Sequence, residues 1–160
     1  MDCLKSFEDR EKFSIKKASQ HFIPTSPKVS WKSLALVKGI IPRHQFILWL
    51  TVHKKLSTVD RLQKWGIKMM QDCVLCNTNA VETLEHLFFC CDYSKHIWSS
   101  LLHWLGEKRP VRGWNDEVMW ASKRTNNSRV RAGIIGFLFA ASIYHIWAER
   151  TRRRFRNQRR

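Results

Sequence analysis

Acidic residues are what this sequence has least of. Thirteen Asp and Glu stand against 29 Lys and Arg, a formal net charge of +16 over 160 residues. The carboxylates are scattered and no pair is framed by strands, which leaves no acid set for nuclease chemistry. Positive charge of this size repels itself in a compact chain unless a polyanion is near, and nucleic acid is the commonest such partner. Long apolar runs are also missing. The longest, GIIGFLFAASIYHIWA from Gly133 to Ala148, is sixteen residues and includes a histidine. A spanning helix wants about 20, so the run predicts a buried helix and no membrane contact. The opening MDCLKSFEDREKFS is charged and has no apolar stretch, so secretion is not expected and the location is nuclear or cytoplasmic. Disulfides are then not expected either, and clustered cysteines point to metal or redox chemistry. No internal repeat and no dependable alternating strand pattern occurs.

What is present reads as helices. The composition is 44% hydrophobic with eight Trp and nine Phe, enough to fold. A short helix is expected from Ser14, an N-cap before IKKASQHF, followed by a loop over IPTSPK. Another short helix crosses Trp31 to Val37 and ends at Gly39. Pro42 suits the first turn of the next, where Phe46, Ile47, Leu50 and Val52 approach a helical stripe. Thr58 caps VDRLQKW and Gly66 closes it, giving a hairpin that leads into the cysteines. Beyond them Ile97, Leu101, Leu102 and Leu105 mark a helix capped by Asp92 or Ser94 and ended by Gly106. Trp114 to Lys123 is a short helix, Lys123 to Ser128 a connector. Val130, Ile134, Phe137, Ala141, Tyr144 and Ala148 mark the face of a long final helix. With a Cys-x2-Cys pair, a histidine and two further cysteines gathered within residues 73–91, the donor types of a zinc shell, the fold class is mainly α, a helical domain around a structural zinc knuckle with a long C-terminal helix and a basic tail. The domain reading is a polar flank over 1–29, the zinc-binding domain over 30–106, a linker with a short helix over 107–128, and the long helix and Arg-rich tail over 129–160.

Four of the five cysteines fall within CVLCNTNAVETLEHLFFCC, residues 73–91. Cys73 and Cys76 have the spacing that lets two sulfurs of one tight turn reach one ion. His86 and then Cys91 complete C-x2-C-x9-H-x4-C, three thiolates and an imidazole, a full tetrahedral shell for one Zn²⁺. Spacing leaves Cys90 and Cys91 both open as the fourth ligand, with a chain entering a helix at Asp92 turning Cys91 back toward the knuckle. A shell of four protein ligands has no open position for water, so the site is structural rather than catalytic. The zinc-deaminase order, H-x-E ahead of P-C-x-x-C, is reversed here and lacks the proline. Glu82 and Glu85 are expected on the solvent side of a helix.

The run PRHQFILWLTVHKKLSTVDRLQKWGI, then CVLC, then ETLEHLFFCCDYSKHIW resembles the zinc-binding domain that follows the reverse transcriptase in plant non-LTR retrotransposons. The matching positions are Pro42, Phe46 and Trp49, then Thr58, Asp60, Arg61 and Leu62, then Cys73 and Cys76, Glu82 through Phe89, Cys91 and Trp98. The resemblance favours Cys91 over Cys90, because the position before the last cysteine varies in that family. It implies an accessory domain and no enzyme activity: the aspartate-rich turn of the polymerase has no equivalent here. The partners it implies are nucleic acid, RNA or DNA, and a reverse transcriptase or ribonuclease H domain.

Three features are candidates for holding nucleic acid. The tail RTRRRFRNQRR offers Arg150, Arg152, Arg153, Arg154, Arg156, Arg159 and Arg160, whose forks suit phosphate pairs; the same run also reads as a nuclear-import signal. The knuckle is flanked by Lys64, Lys68 and Lys95, with Val74 and Leu75 at its tip as candidate stacking groups. The eight tryptophans fall mostly on apolar helix faces and are expected in the core.

Overall fold

The structure is a computed structural model that describes residues 29–76, 78–126 and 129–156, with Glu8, Asp9, Lys12, Phe13, Ile15 and His21 before them. Two short strands, β1 (Glu8–Asp9) and β2 (Lys12–Phe13), pair antiparallel with Glu8 opposite Phe13. The helix expected from Ser14 falls outside the described residues apart from Ile15 and His21, both helical. The rest is mostly helical: α1 (Lys32–Ala35), α2 (Pro42–Val52), α3 (Val59–Lys64), a wide turn (His86–Cys90), α4 (Asp92–Trp104), α5 (Trp114–Thr125) and α6 (Val130–Arg156).

The helix punctuation follows local chemistry. Pro42 is the first residue of α2, where its missing N–H costs nothing. Gly66 and Gly106 follow α3 and α4 with φ of +81° and +73°, the left-handed conformation that lets a chain leave a helix. After α3, Ile67 N donates to Leu62 O at 3.0 Å and reverses the chain. Thr58 precedes α3, but its side chain makes no cap bond. Cys91, not Asp92 or Ser94, is the N-cap residue of α4, while Ser94 is buried and donates to Leu87 O. The segment expected as connector from Lys123 is helical through Thr125.

Helix α6, about 40 Å long at 1.5 Å per residue, is the axis of the fold. Helices α2, α4 and α5 and the wide turn all pack on it. By length and composition alone it is apolar enough to cross a membrane; its packing is that of a core helix. The buried face is Ala132, Ile135, Phe139, Ile143, Ile146 and Arg150. This corrects the expected face: Val130 is 82% exposed, and Ile134 and Phe137 also lie open. A helix apolar nearly all round carries no periodic signal strong enough to choose the inward side.

Trp98, at 0% exposure, centres the core. Phe89 and Phe139 pack on it with ring centroids at 6.0 and 5.3 Å. Residues 107–128, expected as a linker, contribute Trp114, Val118 and Ala121 to this same core. The buried Glu117 carboxylate fixes that stretch. It accepts from Trp98 Nε1 at 2.8 Å, Arg112 N at 2.7 Å and both Nη atoms of Arg109 at 2.8 and 2.6 Å. Three tryptophans depart from the core expectation, with Trp49, Trp65 and Trp104 at 45, 57 and 70% exposure.

Candidate metal centre

The knuckle is built on two facing segments. Asp72 bridges Val81, Cys73 N donates to Ala80 O at 2.8 Å and Glu82 N to Gln71 O at 2.9 Å. Asn79, at φ +51°, takes the left-handed turn between them, a conformation Asn tolerates better than most residues. This stem holds Cys73 and Cys76 over the wide turn that carries His86. Thr83 begins that turn, its hydroxyl accepting His86 N at 3.1 Å. Leu87, Phe88 and Phe89 then plunge into the core.

The wide turn decides the ligand set. In an α-helix, at about 100° per residue, Cys90 would share the face of His86 and Cys91 would lie about 140° away. Here Cys91 N donates to His86 O at 2.7 Å, an i→i+5 bond that widens the turn, a form that recurs at functional sites. Cys91 leaves the turn with extended backbone and is fully buried; Cys90 points to solvent.

Cys73, Cys76, His86 and Cys91 therefore meet, with one ligand atom of each within 4.8 Å of all the others. Cys73 Sγ lies 3.9 Å from Cys91 Sγ, and Cys76 Sγ 3.3 Å from His86 Nε2. Zinc bonds of about 2.3 Å to sulfur and about 2.0 Å to nitrogen give tetrahedral edges of about 3.8 and 3.5 Å, so the donor set fits that ion in type and in spacing. The environment treats two of the thiols differently. Cys91 is held below the usual thiol value, chiefly by the hydrogen bond from the Cys73 thiol and also by backbone N–H groups of Tyr93 and Ser94 at the start of α4. Cys73 is pushed well up, first by that same bond to Cys91 and then by burial, so of the two thiols Cys91 is the easier to ionise. Thr78 Oγ1 sits 3.1 Å from Cys76 Sγ. Once bound, zinc cross-links the stem, the wide turn and the cap of α4.

Glu82, expected in solvent, is instead fully buried behind the knuckle. Its Oε1 accepts from Arg150 Nε at 2.9 Å, Arg150 Nη2 at 2.5 Å and Val59 N at 3.2 Å, while Oε2 accepts from Arg154 Nη2 at 2.9 Å. The carboxylate thus caps α3 in place of Thr58 and fastens α6 to both. Its place in the motif beside Thr83 and His86 was visible in sequence; its buried partners, some 70 residues on, were not.

The other candidate residues divide. Arg150 is 1% exposed and stacks on Trp147 at 4.7 Å. Arg154 also grips the Met70 and Asp72 carbonyls, and Arg153 reaches toward those of Val74 and Leu75 while pairing with Glu149. Arg152 pairs with Glu149. Arg150 and Arg154 are therefore internal clamps rather than free phosphate contacts, because the single Glu82 carboxylate and the carbonyls of Ser57, Met70 and Asp72 claim their guanidinium groups. Arg159 and Arg160 lie outside the described residues, as does the Arg156 side chain. Lys64 and Lys68 are exposed, Val74 is half-buried and Leu75 is a core residue at 6%.

A family model described as zinc-binding in reverse transcriptase matches residues 13–98. No curated protein and no solved structure matches the chain. The match covers more than half of the sequence and contains all four ligand candidates. A zinc shell with the right donors at the right spacing, carried on this sequence pattern, identifies the chain as a member of the family of zinc-binding domains of reverse transcriptases.

Proposed function

We propose that this chain is a non-catalytic accessory domain, folded around one zinc ion held by Cys73, Cys76, His86 and Cys91, that binds nucleic acid for a polymerase. One observation carries the reading. Among the described residues, fourteen exposed side chains are Lys or Arg and only four are Asp or Glu. The acids that could offset this charge are turned inward: Glu82 and Glu117 are fully buried on arginines, and Glu107 and Glu149 are mostly covered and ion-paired. A cationic exterior with its counter-charges interred is suited to phosphate, whose neutralisation releases counterions. Such a role places the chain in the nucleus or cytoplasm. Binding of labelled single-stranded RNA and DNA, followed by anisotropy over a salt series, tests the reading. Affinity falling steeply and linearly on a log–log plot supports it; absence of binding at low salt ends it.

A second reading has its own observation. An apolar groove of about 370 Å³ lies between α1 and α2, lined by Trp31, Ala35, Leu36, Pro42, Phe46 and Trp49. It would suit docking onto a reverse transcriptase or ribonuclease H domain. On that reading, Phe46→Asp abolishes co-purification with the partner domain and leaves oligonucleotide binding unchanged.

A further inference from the structure

Among the described residues, Arg150 and Arg154 are consumed inside the fold and Arg152 and Arg153 pair with Glu149, which raises the question of where an uncommitted basic surface lies. From Lys54 to Met70 the chain carries five cations, Lys54, Lys55, Arg61, Lys64 and Lys68, and one acid, Asp60. None of the five pairs with a carboxylate among the described residues. Tertiary structure gathers them. Arg61 donates to the Lys54 carbonyl, tying α3 to the end of α2, where Lys54 sits in the left-handed conformation at φ +53°. The Gly66 turn then reverses the chain, Ile67 N donating to Leu62 O, and Arg154 Nη1 donates to Met70 O at 3.0 Å, so the end of α6 meets the segment that follows α3.

At the centre stands Trp65. The Arg61 guanidinium lies 5.0 Å from its ring centroid, and 57% of the residue is open to solvent. Ile67 and Met70, two and five residues further along the chain, are 48 and 76% exposed. An indole left open, with an arginine over its ring and, near it in the chain, lysines that have no carboxylate partner among the described residues, costs burial energy that the core does not recover. The same arrangement is what a single strand requires: a flat face for an unstacked base, with cations spaced for the flanking phosphates.

We infer that the α2–α3 corner, with Trp65 as stacking platform and Lys54, Lys55, Lys64 and Lys68 as phosphate contacts, is a binding site for single-stranded nucleic acid. The inference rests on the nucleic-acid reading above and gives it a place. The test uses the zinc-loaded full chain with twelve-nucleotide oligouridine, oligodeoxythymidine and a duplex of the same length. Trp65→Ala should weaken binding of both single strands about five- to hundredfold, the range of one base–aromatic stack, with Trp65→Phe recovering part of the loss. Lys64→Gln with Lys68→Gln should lower the salt slope by about one per lysine. Trp104→Ala, a still more exposed tryptophan on α4, should change nothing. If the parent chain binds single strands while Trp65→Ala and the lysine pair bind as it does, the site is wrong and the function stands. If the duplex binds as tightly as the single strands and Trp65→Ala is neutral, stacking is overturned. If the parent chain binds none of the three, the functional reading itself falls.

Discussion

Glu82 and Arg150 stand 68 positions apart in sequence and meet as a buried ion pair, their side chains 0 and 1% exposed. This contact joins the zinc stem to the last turns of the longest helix. It also extends the structural unit well past the end of the family match at residue 98. Removing one partner of such a pair strands a charge in a dry interior and costs about 3–5 kcal/mol. Glu82→Ala should lose stability on that scale in urea unfolding with zinc in excess. Glu82→Met with Arg150→Met should lose less than the two single changes together; strict additivity would show that the pair does not act as one.

The choice between neighbouring cysteines is open to a direct count. Zinc per chain, by elemental analysis, should be about one for the parent and for Cys90→Ser, and near zero for Cys91→Ser. Structural zinc contributes about 10–16 kcal/mol of binding free energy, more than a typical domain's whole stability. Cys91→Ser, or the parent in excess chelator, should therefore lose the near-ultraviolet signal of Trp98 and its neighbours. Retained zinc in Cys91→Ser would refute the assigned shell.

His44 gives the fold a pH dependence. It is buried at 3% exposure, stacks on Tyr144 at 4.3 Å and, among the described residues, has no hydrogen-bond partner for Nδ1. Burial, then His145 and Arg43, lower its value from the ordinary 6.5. The unfolded chain therefore takes up the proton more readily than the folded one, so stability is full above pH 6.5 and declines as pH falls through the lowered folded value. His44→Phe should flatten that part of the curve relative to the parent, read as the difference in unfolding midpoint between pH 7 and pH 5.5. Parallel curves would exclude His44 as the source.

Gly136 marks a tight crossing. A Cβ there would come 2.6 Å from Val37 Cγ2 and 3.0 Å from Cγ1, and a β-branched valine has little rotamer freedom to withdraw. Gly136→Ala should cost about 1–3 kcal/mol by overpacking, and Val37→Ala in the same chain should restore most of it. A neutral Gly136→Ala would mean that α6 does not press on the segment after α1.

Much of this was legible in one dimension. Pro42, Gly66 and Gly106 punctuate helices where local backbone chemistry says they should, because caps and turns are decided within a few residues. The cysteine and histidine spacing announced a zinc shell for the same reason. The inward face of α6 was not legible: its apolar residues surround the axis, and only the positions of α2, α4 and α5 select Ile135, Phe139 and Ile143 over Ile134 and Phe137. Arg150 and Arg154 read as tail charges because nothing local distinguishes an arginine aimed at phosphate from one aimed at a carboxylate far up the chain.

The sequence by itself therefore determined the helical class, the metal chemistry and the family, all of which depend on residue type and short spacing. The family resemblance already favoured Cys91 over Cys90; tertiary structure supplied the physical cause, an i→i+5 bond in the turn from His86 that turns Cys91 toward the other three ligand residues. Tertiary structure alone made Glu82 the buried junction of three elements. Both outcomes turn on where a backbone is held by distant packing, and Leu87, Phe88 and Phe89 in the core hold this one.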